Sequence, residues 1–582
     1  MNHPNIASST LTRSLVVGLL GLVPAVLGGC DEKKQGSSGA SGGATATSAT
    51  GTAASSASAP SGGVSLVVAY GSEKKTWLEE QAKAFEASGK KTPSGKPIKI
   101  QLKAMGSGEA MQGVLDGTIK PHVFSPASGL YVSLLNDFWM QKPGNTKPIA
   151  KAGDPLVLSP IVIAMWKPMA EALGWPAKQP SWADLMKVAT DPKGWGTRGA
   201  PEWGRFKFAH THPEFSNSGY QAILAEAYAG AKKQRELTLA DLDAKPTQQF
   251  IADVEDTVVH YGKSTGFFSD KMLARGPSYL SAAVLYENLV VEADSKNPPM
   301  PLVAIYPTEG TFWSDHPYSV IDAPWVGVEE KAAADAFAAF LKDKPAQERA
   351  LALGFRPADP KIPVGAPIDA AHGVDPKQPQ TLLPTPDAKV LEKLLKVWND
   401  NKKGADVLFV FDKSGSMRGK PLEEAKAGAK SFVNALADRD EVTLMFFDNQ
   451  VYPAIGPNKL QTMRPQTLSR IDMTIADGGT ALYDAIAAAY DIALTRSKSN
   501  PHQIHAVVVM TDGKDENSKL PLATLKGKFP KEDAPVKVFT IAYGAQAETA
   551  ILSDIAESAR GTSAKGNVDT IKDVYLEMAS FF

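Results

Sequence analysis

The sequence is nearly free of cysteine: Cys30 is the only one in 582 residues. A single cysteine forms neither an intrachain disulfide nor a thiolate metal cluster. A surplus of one charge is also missing, with 62 Lys and Arg against 63 Asp and Glu and a formal net charge of -1. That balance excludes the basic surface on which nucleic-acid binding rests. The N-terminal apolar run, Ser14 to Leu27, is too short to cross a ~30 Å hydrocarbon layer as a helix. Signatures of catalysis are missing too. There is no GxxxxGK[ST] and no HExxH. Gly39–Gly43 and Gly262–Gly266 spell G-x-S-x-G, but the first lies in a Gly/Ser-rich stretch. The second follows a helix-like segment, not the strand a nucleophile elbow needs. Gly194–Gly199 spells GxGxxG with no strand before it. With no signature of nucleotide binding, a zinc protease or a serine hydrolase in its proper context, the sequence reads as non-enzymatic. What is present is a soluble globular composition, 43% hydrophobic and 21% charged, in a length that suits about three to five domains.

Residues 1–30 read as a signal peptide: Arg13, the apolar run, then Leu27-Gly28-Gly29-Cys30. This ending resembles the bacterial lipobox. The resemblance implies lipidation of Cys30 and a protein held on the outer face of a membrane by its acyl chains. Asp31 resembles an inner-membrane retention signal, which in a two-membrane envelope implies the periplasmic side. Residues 31–63 are mostly Gly, Ser, Ala and Thr and bury too little to fold. They read as a flexible tether with a root-mean-square reach of about 30 Å.

From residue 64 to about 360 strands alternate with helices. Val64–Tyr70 leads through Gly71-Ser72 into a helical pattern with Trp77, Leu78, Gln81, Ala82 and Phe85 on one face. A strand at Ile98–Met105 leads into Gly106-Ser107-Gly108 and a helix, and His122–Ser125 into Pro126-Ala127-Ser128. This alternation predicts an α/β fold with parallel sheets and ligands beyond their carboxyl ends. Pro155–Trp166 reads as a strand crossing between lobes, Ser278–Val291 as a helix, and Leu302–Tyr306 as a returning strand. Ala332–Leu353 reads as a helix pair ending at Gly354-Phe355-Arg356-Pro357. The order of these segments, with His210–Gly219 and Ala282–Val291, resembles the bacterial extracellular solute-binding proteins of the molybdate-binding-like group. That resemblance implies two lobes closing on a small solute, with Ser72, Ser107, Ser128, Thr211, Ser218 and Tyr286 at the ligand loops. The hydroxyl positions suit helix caps and turns equally well, and Tyr286 suits a core. His210 and His212, two apart and with no third ligand near in sequence, read as loop or core residues. The ten tryptophans, all before residue 400, read mainly as core.

Residues 361–403 hold several prolines and one helical segment, Asp387–Trp398, either a connector or a helix packing back on a lobe. From 404 to 582 the pattern sharpens. Val407–Phe411 is a fully apolar strand running into Asp412-Lys413-Ser414-Gly415-Ser416. Gly478-Gly479-Thr480 opens a helix, and His505–Met510 ends in Thr511-Asp512-Gly513. These three motifs, in this order, resemble the von Willebrand factor A domain, a doubly wound, mostly parallel Rossmann-like fold. The resemblance places Asp412, Ser414, Ser416, Thr480 and Asp512 at a metal-ion-dependent adhesion site. It implies Mg²⁺, or Mn²⁺, and a protein partner whose acidic side chain completes the shell. Asp515, Glu516 and Asn517 read as a charged rim or a second cation site. The combined expectation is a membrane-anchored protein pairing a solute-binding module with an adhesion module. Two alternatives stand beside it: a transport receptor with an accessory domain, and a scaffold that binds no solute.

Overall fold

The computed structural model describes residues 63–530 and 534–582. Cys30, the signal peptide and the tether expected from the sequence lie outside the described residues. Among the described residues, no helix is long and apolar enough to cross a membrane.

Three sheets organise the chain. The first has the order Ile98–Met105, Val64–Gly71, Val123–Ser125, Ser319–Val320, parallel except for the last strand. Leu66, Val68 and Tyr70 turn from the central strand onto Trp77, Leu78 and Phe85, which share one face of the next helix, Lys75–Ala87. The second sheet is built on Val157–Trp166, whose last eight residues are all buried. Ala282–Tyr286, Leu302–Ile305, Trp313–Ser314 and Arg356–Pro357 pair with it, and Phe208–Ala209 extends it. The two lobes are joined where Ser159 pairs with Ser314, with Phe124 then pairing with Ser319, and again by the pair Val157–Pro357.

The helix expected over Ser278–Val291 is corrected. Ala282–Tyr286 is a strand and the helix starts at Glu287. All five strand residues are buried, so no period of two distinguished them from a buried helix.

The helix Ala388–Asn401 packs back on the second lobe. Val390, Leu391, Leu394, Val397 and Trp398 form its buried stripe, and Asp387 caps its first turn through Val390 N at 3.0 Å.

The third sheet has six strands. Numbered within the domain from Ala405–Asp412, their order is 3-2-1-4-5-6. All are parallel except strand three, Ile455–Lys459. This is the doubly wound order, and its switch point lies between the first and fourth strands, Ala405–Asp412 and Ile504–Thr511.

One apolar cluster continues from the second lobe through Trp398 to Phe539, Phe581 and Phe582 of the C-terminal domain. Residues 258–266 run along this junction. At one end Val259 O accepts from Lys537 Nζ at 2.9 Å and Tyr261 N donates to Phe581 O at 3.4 Å. At the other, Lys263 Nζ meets Glu109 Oε1 at 2.8 Å and Gly266 N donates to Ser72 Oγ at 2.9 Å, both in the first lobe.

Candidate functional site

The switch point of the third sheet gathers the expected metal ligands. Phe411 is in register with Met510, so the two strands deliver Asp412 and Asp512 to the same edge. Asp412 Oδ1 accepts from Ser414 N at 2.8 Å, and Oδ2 from Thr511 Oγ1 at 2.5 Å. Ser414 Oγ lies 3.0 Å from Ser416 Oγ, which donates to Asp512 Oδ1 at 2.8 Å. Thr480 comes from the loop before the helix Leu482–Ser499, and its hydroxyl faces Gly513, 3.4 Å from where a Cβ would stand there. Gly415 N donates to Gly478 O at 2.9 Å, stitching the two loops together. Gly478 has φ +78°, and a Cβ on it would come within 3.1 Å of both Asp448 and Asn449, so both conformation and space call for glycine.

Burial pushes the Asp412 carboxyl up to about 6, and Asp512 adds to the rise; burial likewise raises Asp512. Asp412 is thus buried and Asp512 nearly so, at a site whose Ser416 is exposed, and a cation there would favour the charged forms of both. The donor set fits a hard ion. Every candidate ligand is oxygen, and the 2.8 and 3.0 Å spacings match the edge of about 3.0 Å in an octahedron with ~2.1 Å bonds.

Sequence reasoning missed the supports. Thr511 holds Asp412, and Asn517 Oδ1 accepts from Thr480 N at 2.9 Å. Lys413 pairs with Asp448 and lies 4.5 Å from the Tyr452 ring centre. Asp515 accepts from Tyr483 N at 3.3 Å, so Asp515 and Asn517 brace the start of the Leu482–Ser499 helix region rather than stand free for a second cation. Glu516 is exposed.

In the cleft between the lobes the structure brings most of the six expected solute residues together, but onto one another and onto neighbouring backbone. Ser72 Oγ accepts from Gly266 N, and Ser107 Oγ from Ala127 N at 3.0 Å. Ser128 caps its own helix through Leu130 N at 3.3 Å. Thr211 Oγ1 lies 2.8 Å from Ser218 Oγ, which lies 2.7 Å from Thr265 Oγ1. Tyr286 OH accepts from Asn217 Nδ2 at 3.0 Å. The first-turn amides of the helix Ser107–Asp116, where an anion would be expected to sit, donate to Phe215 O of the other lobe at 3.0 Å from Gly108 and 3.1 Å from Glu109. Beside the cleft is a charged group that sequence reading did not find. Lys74 Nζ is fully buried, 2.8 Å from Glu73 Oε1 and 3.3 Å from His316 Nδ1. Burial alone would raise Glu73, but Lys74 and His316 outweigh it and hold the carboxyl at about 2. Burial lowers Lys74 against the pull of Glu73.

His210 and His212 are both buried, as the core reading of the sequence expects. The fold brings Glu226 and Glu255 to His210, residues too far along the chain for local spacing to reveal.

The profile of bacterial extracellular solute-binding proteins matches residues 66–356, half of the chain. That of the von Willebrand factor type A domain matches residues 406–576. An uncharacterized protein of Mycobacterium tuberculosis is 25% identical over 463 residues, 72% of this chain and 63% of its own length. The chain therefore covers less than two thirds of that relative. Among solved structures, the sulfate-binding protein SubI of Mycobacterium tuberculosis H37Rv is 20% identical, with a TM-score of 0.37, over 54% of this chain and 92% of that one. A von Willebrand factor type A protein from Catenulispora acidiphila is 23% identical, with a TM-score of 0.27, over 31% of this chain and 43% of that one. With the matched regions falling on the two lobes and on the 3-2-1-4-5-6 sheet, the chain belongs to the bacterial extracellular solute-binding proteins and carries a von Willebrand factor type A domain after the binding region.

Proposed function

We propose that this is a non-catalytic, lipid-anchored protein of the cell envelope that docks a protein partner through a divalent cation at its C-terminal domain. The observation that carries the reading is the convergence of Asp412, Ser414, Ser416 and Asp512 at the sheet's switch point, with oxygen spacings suited to Mg²⁺ or Mn²⁺. Asp412 and Asp512 supply the charge, and Ser414, Ser416 and Thr480 supply hydroxyl oxygens. An ion there offers a partner's carboxylate a positive charge with an open coordination position. The anchor is Cys30, and the solute-binding region stands between the membrane and the docking domain in the chain.

Titration calorimetry with Mg²⁺ and Mn²⁺ tests the site. Wild type should bind, and Asp512→Ala should lose at least about tenfold in affinity while its melting temperature stays close to wild type. A wild-type chain that takes up neither ion at millimolar concentration sinks the reading.

A second reading concerns the first region alone: it acts as a closed scaffold rather than as a receptor. The observation favouring it is that Phe215 O occupies the helix terminus an anion would use, while the expected ligand hydroxyls bond within the chain. A screen of small oxyanions and sugars by thermal shift separates the two. A stabilising solute restores the receptor, and no shift across the screen leaves the scaffold.

A further inference from the structure

The interior of the second lobe holds a cluster that neither the cleft nor the C-terminal site uses. His210 follows the strand Phe208–Ala209, Glu226 lies in the helix Asn217–Ala231, and Glu255 in the helix Lys245–Thr257. All three side chains are 0% exposed, and one ligand-type atom from each lies within 4.8 Å of the others.

The hydrogen bonds fix what each group offers. His210 Nδ1 is 2.7 Å from Thr211 O, a carbonyl that can only accept, so Nδ1 carries the proton. In the neutral ring Nε2 is then a lone pair, yet it faces Glu255 Oε1, another acceptor, at 3.1 Å. Glu255 already accepts from Tyr261 OH at 2.5 Å and from Trp398 Nε1 at 2.9 Å. Glu226 is the odd member: both of its carboxylate oxygens are buried and neither meets a donor, its polar neighbour being the Glu255 carboxyl. A buried carboxylate without a donor is strongly disfavoured as an unpaired charge. Lys402, packed against the Trp398 and Tyr261 rings, turns its ammonium to the backbone oxygen of Phe582 instead.

We propose that His210, Glu226 and Glu255 bind one divalent transition-metal ion of the zinc–manganese class, as a structural site inside the second lobe. A neutral imidazole, two carboxylates and a divalent ion sum to zero charge, which suits a dry interior. The imidazole nitrogen disfavours Mg²⁺ and Ca²⁺, which prefer all-oxygen shells. The supports are those a metal-binding histidine and carboxylate normally have. A backbone carbonyl orients the ring through Nδ1, and two donors orient Glu255. Such an ion ties the loop carrying Thr211 to two helices and, through Trp398, to the helix that leads into the C-terminal domain. The competing arrangement is metal-free, with one proton on Glu226: burial and the Glu255 charge push its carboxyl well above the ordinary range.

The test uses the full chain without an affinity tag, in an Asp412→Ala background that removes the C-terminal cation site. Metal content is measured by mass spectrometry after purification without added metal. Melting is then compared after refolding in chelator or in zinc. The expected result is about one zinc or manganese per chain, a higher melting temperature after refolding in zinc than in chelator, and at least about tenfold weaker zinc binding on adding Glu226→Gln. A metal-free chain that melts identically in zinc and in chelator overturns the proposal and leaves the shared proton. Should Glu226→Gln fail to fold, the refolding comparison on the Asp412→Ala chain decides alone.

Discussion

Thr511 shows how a single side chain can govern a site without being one of its expected ligands. Its hydroxyl donates to Asp412 Oδ2 at 2.5 Å and so orients a buried carboxylate. Thr511→Val keeps the shape and removes the donor. We expect a loss of about 1.5–3 kcal/mol in urea unfolding and a fall of roughly 10–100-fold in Mg²⁺ affinity by calorimetry. An unchanged affinity would show that Asp412 is held by its own turn alone. The five expected metal ligands could be picked out as candidates in the sequence because they sit in short contiguous motifs beside obvious strands. Thr511 stood in the Thr511-Asp512-Gly513 motif, but only the folded sheet turns its hydroxyl onto Asp412. Glu226 and Glu255 were not legible, because only the packing of two helices against a loop brings them to His210.

At the scale of elements, the turn after the opening strand and the helix after the second strand carry the closure of the cleft. Glu73, in that turn, has its carboxyl held at about 2, below its ordinary value of 4.5. The unfolded chain therefore binds more protons than the folded one across that interval. The stabilisation is complete above pH ~4.5 and is lost as pH falls towards 2, with a size on the order of 3 kcal/mol. Glu73→Gln should lower stability at pH 7 and flatten the acid limb of a plot of melting temperature against pH; an acid limb as steep as wild type's would assign that loss to other carboxylates.

Gly108 tests the closure itself. A Cβ there would stand 2.0 Å from Glu214 O of the other lobe. Alanine favours a helix over glycine by about 1 kcal/mol, yet Gly108→Ala should prise the lobes apart. Small-angle scattering should report a larger radius with unchanged helix content by circular dichroism; an unchanged radius would argue against this close approach. The alternation of strands and helices was readable for most of the chain. It failed at Ala282–Tyr286, where burial on every side erases the periodicity that separates a strand from a helix.

For the whole molecule, the two regions were visible in the sequence but their junction was not, since it is made of backbone acceptors, one shared apolar cluster and contacts between residues far apart in the chain, such as His502 Nδ1 and Asp256 Oδ1 at 3.1 Å. Arg275 of the second lobe donates to Arg560 O at 2.9 Å and also to Gly561 O across that junction. Arg275→Ala should separate the unfolding of the two regions, turning one calorimetric transition into two or widening an existing gap. A trace that superimposes on wild type would show that the apolar cluster suffices.

The segment 258–266 gives this junction a mechanical meaning. It is gripped by Lys537 and Phe581 at one end and by Ser72 and Glu109 at the other. Tension applied to the C-terminal domain is therefore shared among this short stretch of chain, Arg275 and the apolar cluster, and the part the stretch carries ends on the latch between the lobes. Along that stretch the two grips act as links in series, so the weaker of them sets the load the segment can carry.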